Sequence, residues 1–196
     1  MFSPFFKALS PGKKIAFLAV FLALAVAANS VLEITLSLYN KITFTYFLLF
    51  VTAFLLGGVP AFAVAVVGDA IGFLISPTGT FWLYGVVMGI FALITGVFMH
   101  LVPIKGKGAN YVKAAIALVV NYFVVTIFLA TLVQYSYAIL FLWGGNVNKG
   151  IWVYTLGYLG PRLTIQTAVY AGNMAACFLT IPLFERLLFR NRKNEP

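Results

Sequence analysis

Long apolar runs, broken by short polar segments bearing glycine or proline, dominate the pattern of this chain. A helix crossing the hydrocarbon core needs about 20 such residues, so the runs predict helices rather than half-buried strands. Six are expected, at about 15–38, 43–56, 59–75, 81–101, 112–142 and 161–189. The second and third are short for a full crossing, which predicts tilting or a thinned bilayer edge. The fifth is overlong, so its far end is expected to project or bend. Gly57, Gly58 and Pro60 mark a tight bend between the second and third runs, and Pro182 a kink or early end in the sixth. Between the fifth and sixth, residues 143–160 are rich in glycine, asparagine and aromatics and predict a loop on the membrane surface. The expectation is a single all-α membrane domain over residues 1–196, a bundle of six transmembrane helices.

Composition agrees with that class: 63% of the 196 residues are hydrophobic, 9% are charged, and the mean hydropathy is +1.04. No length remains for a soluble module. The single cysteine, Cys177, cannot form an internal disulfide and reads as a small apolar filler.

A net charge of +9 invites a nucleic-acid partner until the charges are placed along the chain. With the amino terminus inside and six crossings, ten of the 13 lysines and arginines fall on the inner side, leaving Lys41, Lys149 and Arg162 outside. That is the positive-inside asymmetry of a membrane protein, with both termini cytoplasmic in a cell membrane. The first run also resembles a secretory signal, with Ala25-Val26-Ala27 as a cleavage site. Its continuation to Leu38, and the odd span count that cleavage would leave, favour an uncleaved helix.

Asp69 is the only charge in its run. An aspartate in hydrocarbon costs about 2.5–3.5 kcal/mol, which marks such a residue as functional. Ser76-Pro77-Thr78-Gly79 ends its helix, and Phe81, Trp82 and Tyr84 follow. Asn29, Glu33, Ser37 and Asn40 fall on one side of a first helix drawn to Leu38; Arg162, Gln166, Tyr170, Asn173 and Cys177 share one face of the last. These groups gather in the outer half, which predicts a pocket opening outward for a flat, polar, anionic molecule. A mutual ion pair of Asp69 with Arg162 is the plainer alternative. Ala19, Ala23 and Ala27 form a small-xxx-small stripe that admits a close helix partner or serves internal packing. Gly85, Gly89 and Gly96 either permit close helix contact or only ease packing, and His100 reads as an interfacial residue.

Catalysis finds no support. The chain has no phosphate-binding Gly-xxxx-Gly-Lys loop, no metal-ligand spacing, and a lone histidine placed on the inner side. No metal, cofactor or nucleic acid is expected.

Four stretches carry a resemblance: Ala19-Val20-Phe21-Leu22-Ala23, Lys41-Ile42-Thr43-Phe44-Thr45-Tyr46, Gly68-Asp69-Ala70-Ile71-Gly72 with Pro77-Thr78-Gly79, and Pro161-Arg162-Leu163. Together they resemble the substrate-binding S component of an energy-coupling factor (ECF) transporter, within that class the folate family. Many folate-family members carry an arginine late in the first helix, where this chain has Asn29 and Glu33. The resemblance implies a small vitamin binder that works with a transmembrane coupling protein and two ATPase subunits, docking through Ala19, Ala23 and Ala27. Asp69 would accept hydrogen bonds from a pterin edge, and Trp82 or Tyr84 would stack on its ring. Arg162, with Lys41 or Lys149, would hold a carboxylate. Gln166, Asn173, Asn29, Glu33 and Thr78 would supply further polar contacts. An S component for another vitamin, a membrane scaffold without a ligand, and a stand-alone carrier remain the rival readings.

Overall fold

The computed structural model describes residues 1–30, 34–37, 40–75, 77, 81–106, 108–147 and 150–192, with only the backbone given for 29–30, 34–37, 40–41, 158, 161–162 and 187–192. A short α1 (Pro4–Ala8) precedes α2 (Pro11–Ser30). A two-stranded antiparallel hairpin, β1 (Ile34–Ser37) and β2 (Asn40–Ile42), pairs Ile34 with Ile42 and Thr35 with Lys41. Then come α3 (Thr45–Leu56), α4 (Gly58–Ile75) and α5 (Tyr84–His100). One long helical rod follows, comprising α6 (Ala109–Asn121), a π-helical stretch (Tyr122–Leu129), α7 (Ala130–Tyr137) and a second π-helical turn (Ala138–Leu142). The last element is α8 (Ile151–Arg192).

Four helices among the described residues are long and apolar enough to cross a membrane: Pro11–Ala28, Gly58–Ile75, Ala109–Leu142 and Leu163–Arg186. Thr45–Leu56 and Tyr84–His100 are apolar but shorter. At 1.5 Å per residue α3 is only about 18 Å long, against a hydrocarbon core of about 30 Å.

Two expectations about elements are corrected. The first helix does not run to Leu38, because β1 occupies Ile34–Ser37. Apolar Ile34 and Leu36 alternate there with Thr35 and Ser37, a period of two that suits a strand and not a helix. The helical stripe drawn through Ser37 and Asn40 therefore does not exist. The predicted surface loop is also shorter than expected: α8 begins at Ile151, passes through Pro161 and Pro182, and reaches Arg192 over 42 residues. Glu33, Thr78, Lys107, Lys149 and Lys193 lie outside the described residues.

Packing is densest between α4 and α5, where glycines bring backbones together. A Cβ on Gly96 would lie 2.4 Å from the Gly58 backbone, and one on Gly89 would lie 2.6 Å from the Phe62 ring. Gly68 opens a similar approach to α2, its would-be Cβ meeting Ala25 Cβ at 3.1 Å. Of the two readings of Gly85, Gly89 and Gly96, close helix contact is therefore the one realised. The centre of the bundle is aromatic. Tyr46 packs on Phe91 and Tyr170, with centroids 5.3 and 5.1 Å apart, and the Tyr170 hydroxyl donates to the Leu118 carbonyl at 2.7 Å. That carbonyl lies where the α-helical register of α6 gives way to the π-helical one. Cys177 is buried in the same core.

At the turn between α3 and α4 the amino-terminal segment closes the bundle. Ser3 N–H donates to the Leu56 carbonyl at 3.1 Å and the Ser3 hydroxyl to the Leu55 carbonyl, which satisfies carbonyls that α3 cannot use itself. His100 Nε2–H donates to Ala53 O at 3.0 Å, so the lone histidine ties α5 to α3.

Candidate functional site

The β-hairpin marks one end of the bundle, where α2 and α4 finish and α3, α5 and α8 begin. The expected polar groups that can be placed lie in that half. Asp69 is half-buried on α4, facing the start of α5: a Cβ on Gly85 would stand 2.8 Å from Asp69 Cβ and 3.0 Å from Oδ2. Only glycine at 85 leaves the carboxylate this position. The cavity that Asp69 lines has a volume of about 20 Å³, with Thr45 and Leu49 of α3 on its opposite wall.

Trp82 and Tyr84 both turn to the α7 rod. Trp82 Nε1–H donates to the Ser136 hydroxyl at 2.9 Å, and its ring meets Phe141 edge-on at 5.3 Å. The Tyr84 hydroxyl donates to Gln134 Oε1, with the Tyr84 ring 6.4 Å from that of Tyr137. Beyond them Tyr154, from the first turn of α8, sits against Tyr135 at 5.3 Å and Trp143 at 5.6 Å. The hairpin end is thus a belt of indole and phenol rings with hydroxyls and amides between them. Gln134, Ser136 and Thr45 were not singled out from the sequence as site residues. Gln134 carried a usable signal, as one of the few amides in an apolar run; Thr45 lay in a stretch that carries the family resemblance, without a role of its own, and Ser136 carried none.

Asn173 is placed differently from a ligand contact. Its Oδ1 accepts from Phe47 N–H at 3.0 Å, and its Nδ2 donates to Thr43 O at 3.0 Å and to Val169 O at 2.9 Å. The N-cap position of α3 is Phe44, which supplies no side-chain cap of its own. Asn173 reaches across from α8 and does that work, holding the base of the β-hairpin through Thr43. Asn173→Ala should cost about 2 kcal/mol, a lost cap plus stranded backbone groups. For a chain of this size that is about a 6 °C lower melting temperature, with ligand affinity of the folded fraction unchanged. Thermal unfolding in detergent checks the first, calorimetric titration the second. Gln166 lies one face-repeat nearer the hairpin end and is also buried. Because only the backbone of Arg162 is described, its approach to Asp69 is not part of the described geometry, and Glu33 and Thr78 fall outside it altogether.

On the flank of the bundle, Ala19 and Ala23 are exposed and Ala27 is half-buried. Ala19 also lines an apolar groove of about 310 Å³ between α2 and α4, with Leu18, Leu22, Ala63 and Val67. No group of three or more metal-ligating side chains occurs among the described residues.

Comparison with known proteins agrees with this architecture. The chain shares its fold with the crystal structure of FolT bound with folic acid at a TM-score of 0.65, with 19% identity over 85% of this chain and 90% of that one. None of the curated proteins matches it in sequence. The sequence model of the family "ECF-type riboflavin transporter, S component" matches residues 11–159, well over half of the 196. The family is one of transporter subunits that bind vitamins, not of enzymes, and this multi-pass membrane protein belongs to it: the chain is an ECF-type S component.

Proposed function

We propose that the chain is the substrate-capturing subunit of an ECF-type importer for folate or a close pterin relative, taken up at the hairpin end of the bundle. Six segments cross the cell membrane in this reading, the four long helices and the two short ones, with both termini cytoplasmic and the β-hairpin outside. The distribution of lysine and arginine supports that orientation. Transport then requires a transmembrane coupling protein and two ATPase subunits, docked on the Ala19 and Ala23 face.

One observation carries the ligand class: a carboxylate, buried amides and several aromatic rings gather in the same half of an otherwise apolar bundle. A carboxylate accepts paired N–H donors from an amino-pyrimidine edge, and low dielectric strengthens the contact. Tryptophan and tyrosine provide faces for a planar ring. Arg162, Lys41 and Lys149 are the cations available for a glutamate tail. The folic-acid-bound protein of the same fold supports the pterin. Riboflavin is the second reading, favoured by the matched family, and its flat heterocycle suits the same rings.

Purified protein titrated with folate, riboflavin and a panel of other water-soluble vitamins separates the readings. Ligand at about 100 times Kd adds about 2.7 kcal/mol, a rise in melting temperature of about 5 °C or more. A rise with folate, weakened at least tenfold in Asp69→Asn, is expected. A rise with riboflavin alone establishes the second reading, and no rise with any vitamin defeats both.

A further inference from the structure

We infer that the small cavity where α2, α3, α4 and α5 meet is a binding site for a single water molecule, held between the Thr45 hydroxyl and the Asp69 carboxylate. The other walls are apolar, formed by Ala25, Leu49, Ala65 and Met88.

The hydroxyl is the first argument. Thr45 is 9% exposed, and its Oγ1 is shielded with no hydrogen-bond partner among the described residues. Three threonines inside α-helices solve the same problem locally: Thr52, Thr95 and Thr180 donate to the carbonyl four residues back, at 2.8, 2.9 and 3.1 Å, whereas Thr126, in the π-helical stretch, does not. Thr45 cannot do so, because it is the first residue of α3 and the residue four positions earlier belongs to β2. A buried hydroxyl left unbonded is costly, so this one needs a partner from outside the helix.

Size and chemistry then fix the partner. A cavity of about 20 Å³ admits one water, which needs about 10–15 Å³ on this measure and two to four polar neighbours. It is far below the roughly 300 Å³ of a vitamin pocket. Two oxygen-bearing side chains among apolar walls satisfy a water and leave a bare metal cation under-coordinated. A carboxylate has acceptor sites to spare, so a bond from this water leaves Asp69 able to receive others. Asp69 is thereby a positioning residue for α3 whichever vitamin the protein takes, and the inference stands apart from the choice of ligand. The glycines around the site fit the same purpose: Gly68 draws α2 in, and Gly85 makes room for the carboxylate.

The test is an experimental map of the ligand-free protein at about 2 Å resolution. A density peak about 3 Å from both Thr45 Oγ1 and the Asp69 carboxylate is expected, retained in Thr45→Ser and lost in Thr45→Val. Thr45→Val should lower the melting temperature by about 3 °C, and by less than about 1 °C when Asp69 is already leucine, because the water joins the two side chains. A map with no peak overturns the inference even if the variants do not fold. So does a Thr45 hydroxyl bonded directly to a backbone carbonyl, equal losses in both backgrounds, or an anomalous signal at the site after rubidium exchange, which would make the occupant a cation.

Discussion

Gly96→Ala is expected to lower the melting temperature by about 10 °C, more than a methyl group added at Gly58, Gly89 or Gly157. The added Cβ would stand 2.4 Å from both Cα and N of Gly58. Carbon atoms pack at about 3.5–4.0 Å, so the two helices would have to separate by more than 1 Å. Backbone has no flexible end to swing aside. The clash sits at the turn end of α4 and α5, where the amino-terminal segment also docks, so a shift there disturbs the Ser3 bonds to Leu55 and Leu56 as well. Overpacking of this kind costs about 3 kcal/mol or more, which at about 2–4 °C per kcal/mol gives the stated loss. The other glycines set a graded control. Gly89→Ala meets the Phe62 ring at 2.6 Å and Gly58→Ala meets the Met1 side chain at 3.2 Å and Leu93 backbone at 3.3 Å, so the first can be relieved in part by a rotating ring and the second by small shifts. Gly157→Ala meets nothing within 4 Å, and in a helix it should be neutral or slightly stabilising. Melting curves of the four variants in one detergent should follow that order; equal losses at 96 and 157 would show that the α4–α5 contact is looser than described.

The glycine contacts also show what a single chain discloses before it is folded. Apolar run length was enough to place α4 and α5, because nothing but helix satisfies the backbone in hydrocarbon. Asp69 stood out for the same reason, as a charge in the wrong solvent. What length cannot do is distinguish a helix from a strand at a water boundary, and residues 34–42 fell on the wrong side of that line. Their alternation of Ile34, Thr35, Leu36 and Ser37 was visible but was absorbed into a long apolar run. Helical phase was equally insufficient for Asn173. It does share a face with Gln166 and lies buried, as the stripe implied, yet its amide is taken up by Phe47, Thr43 and Val169. That partner set depends on α3 having a phenylalanine at its N-cap position, with no side-chain cap of its own, a tertiary fact. Thr45 is the converse case: its stretch carries the family resemblance, but nothing in the sequence gives its hydroxyl a role, and only its place at a helix start beside Asp69 makes it matter.

The remaining large effect belongs to the flank. Ala19→Trp and Ala23→Trp should each abolish co-purification with a coupling protein and two ATPases, while vitamin affinity stays within about twofold of the parent. Small residues at spacing four let a partner helix approach to backbone contact, and in lipid such closeness, not hydrophobic transfer, drives association. Ala19 and Ala23 are exposed on α2, and Ala19 borders the groove of about 310 Å³ that α4 completes with Ala63 and Val67. An indole at 19 would fill that groove and one at 23 would stand proud of the stripe, so either holds a partner helix several ångströms away. Asp69, in contrast, shares its small cavity with Ala25, a different residue of α2, and with side chains of α3 and α5. In the proposed reading binding and docking therefore use different residues of α2, so a substitution should remove one without the other. Loss of the complex with vitamin binding intact would locate the coupling surface. A complex that survives both tryptophans would mean that the stripe meets only lipid and that the energising subunits dock elsewhere. Loss of both activities together would point to a misfolded α2, which the melting temperature of the same samples would reveal.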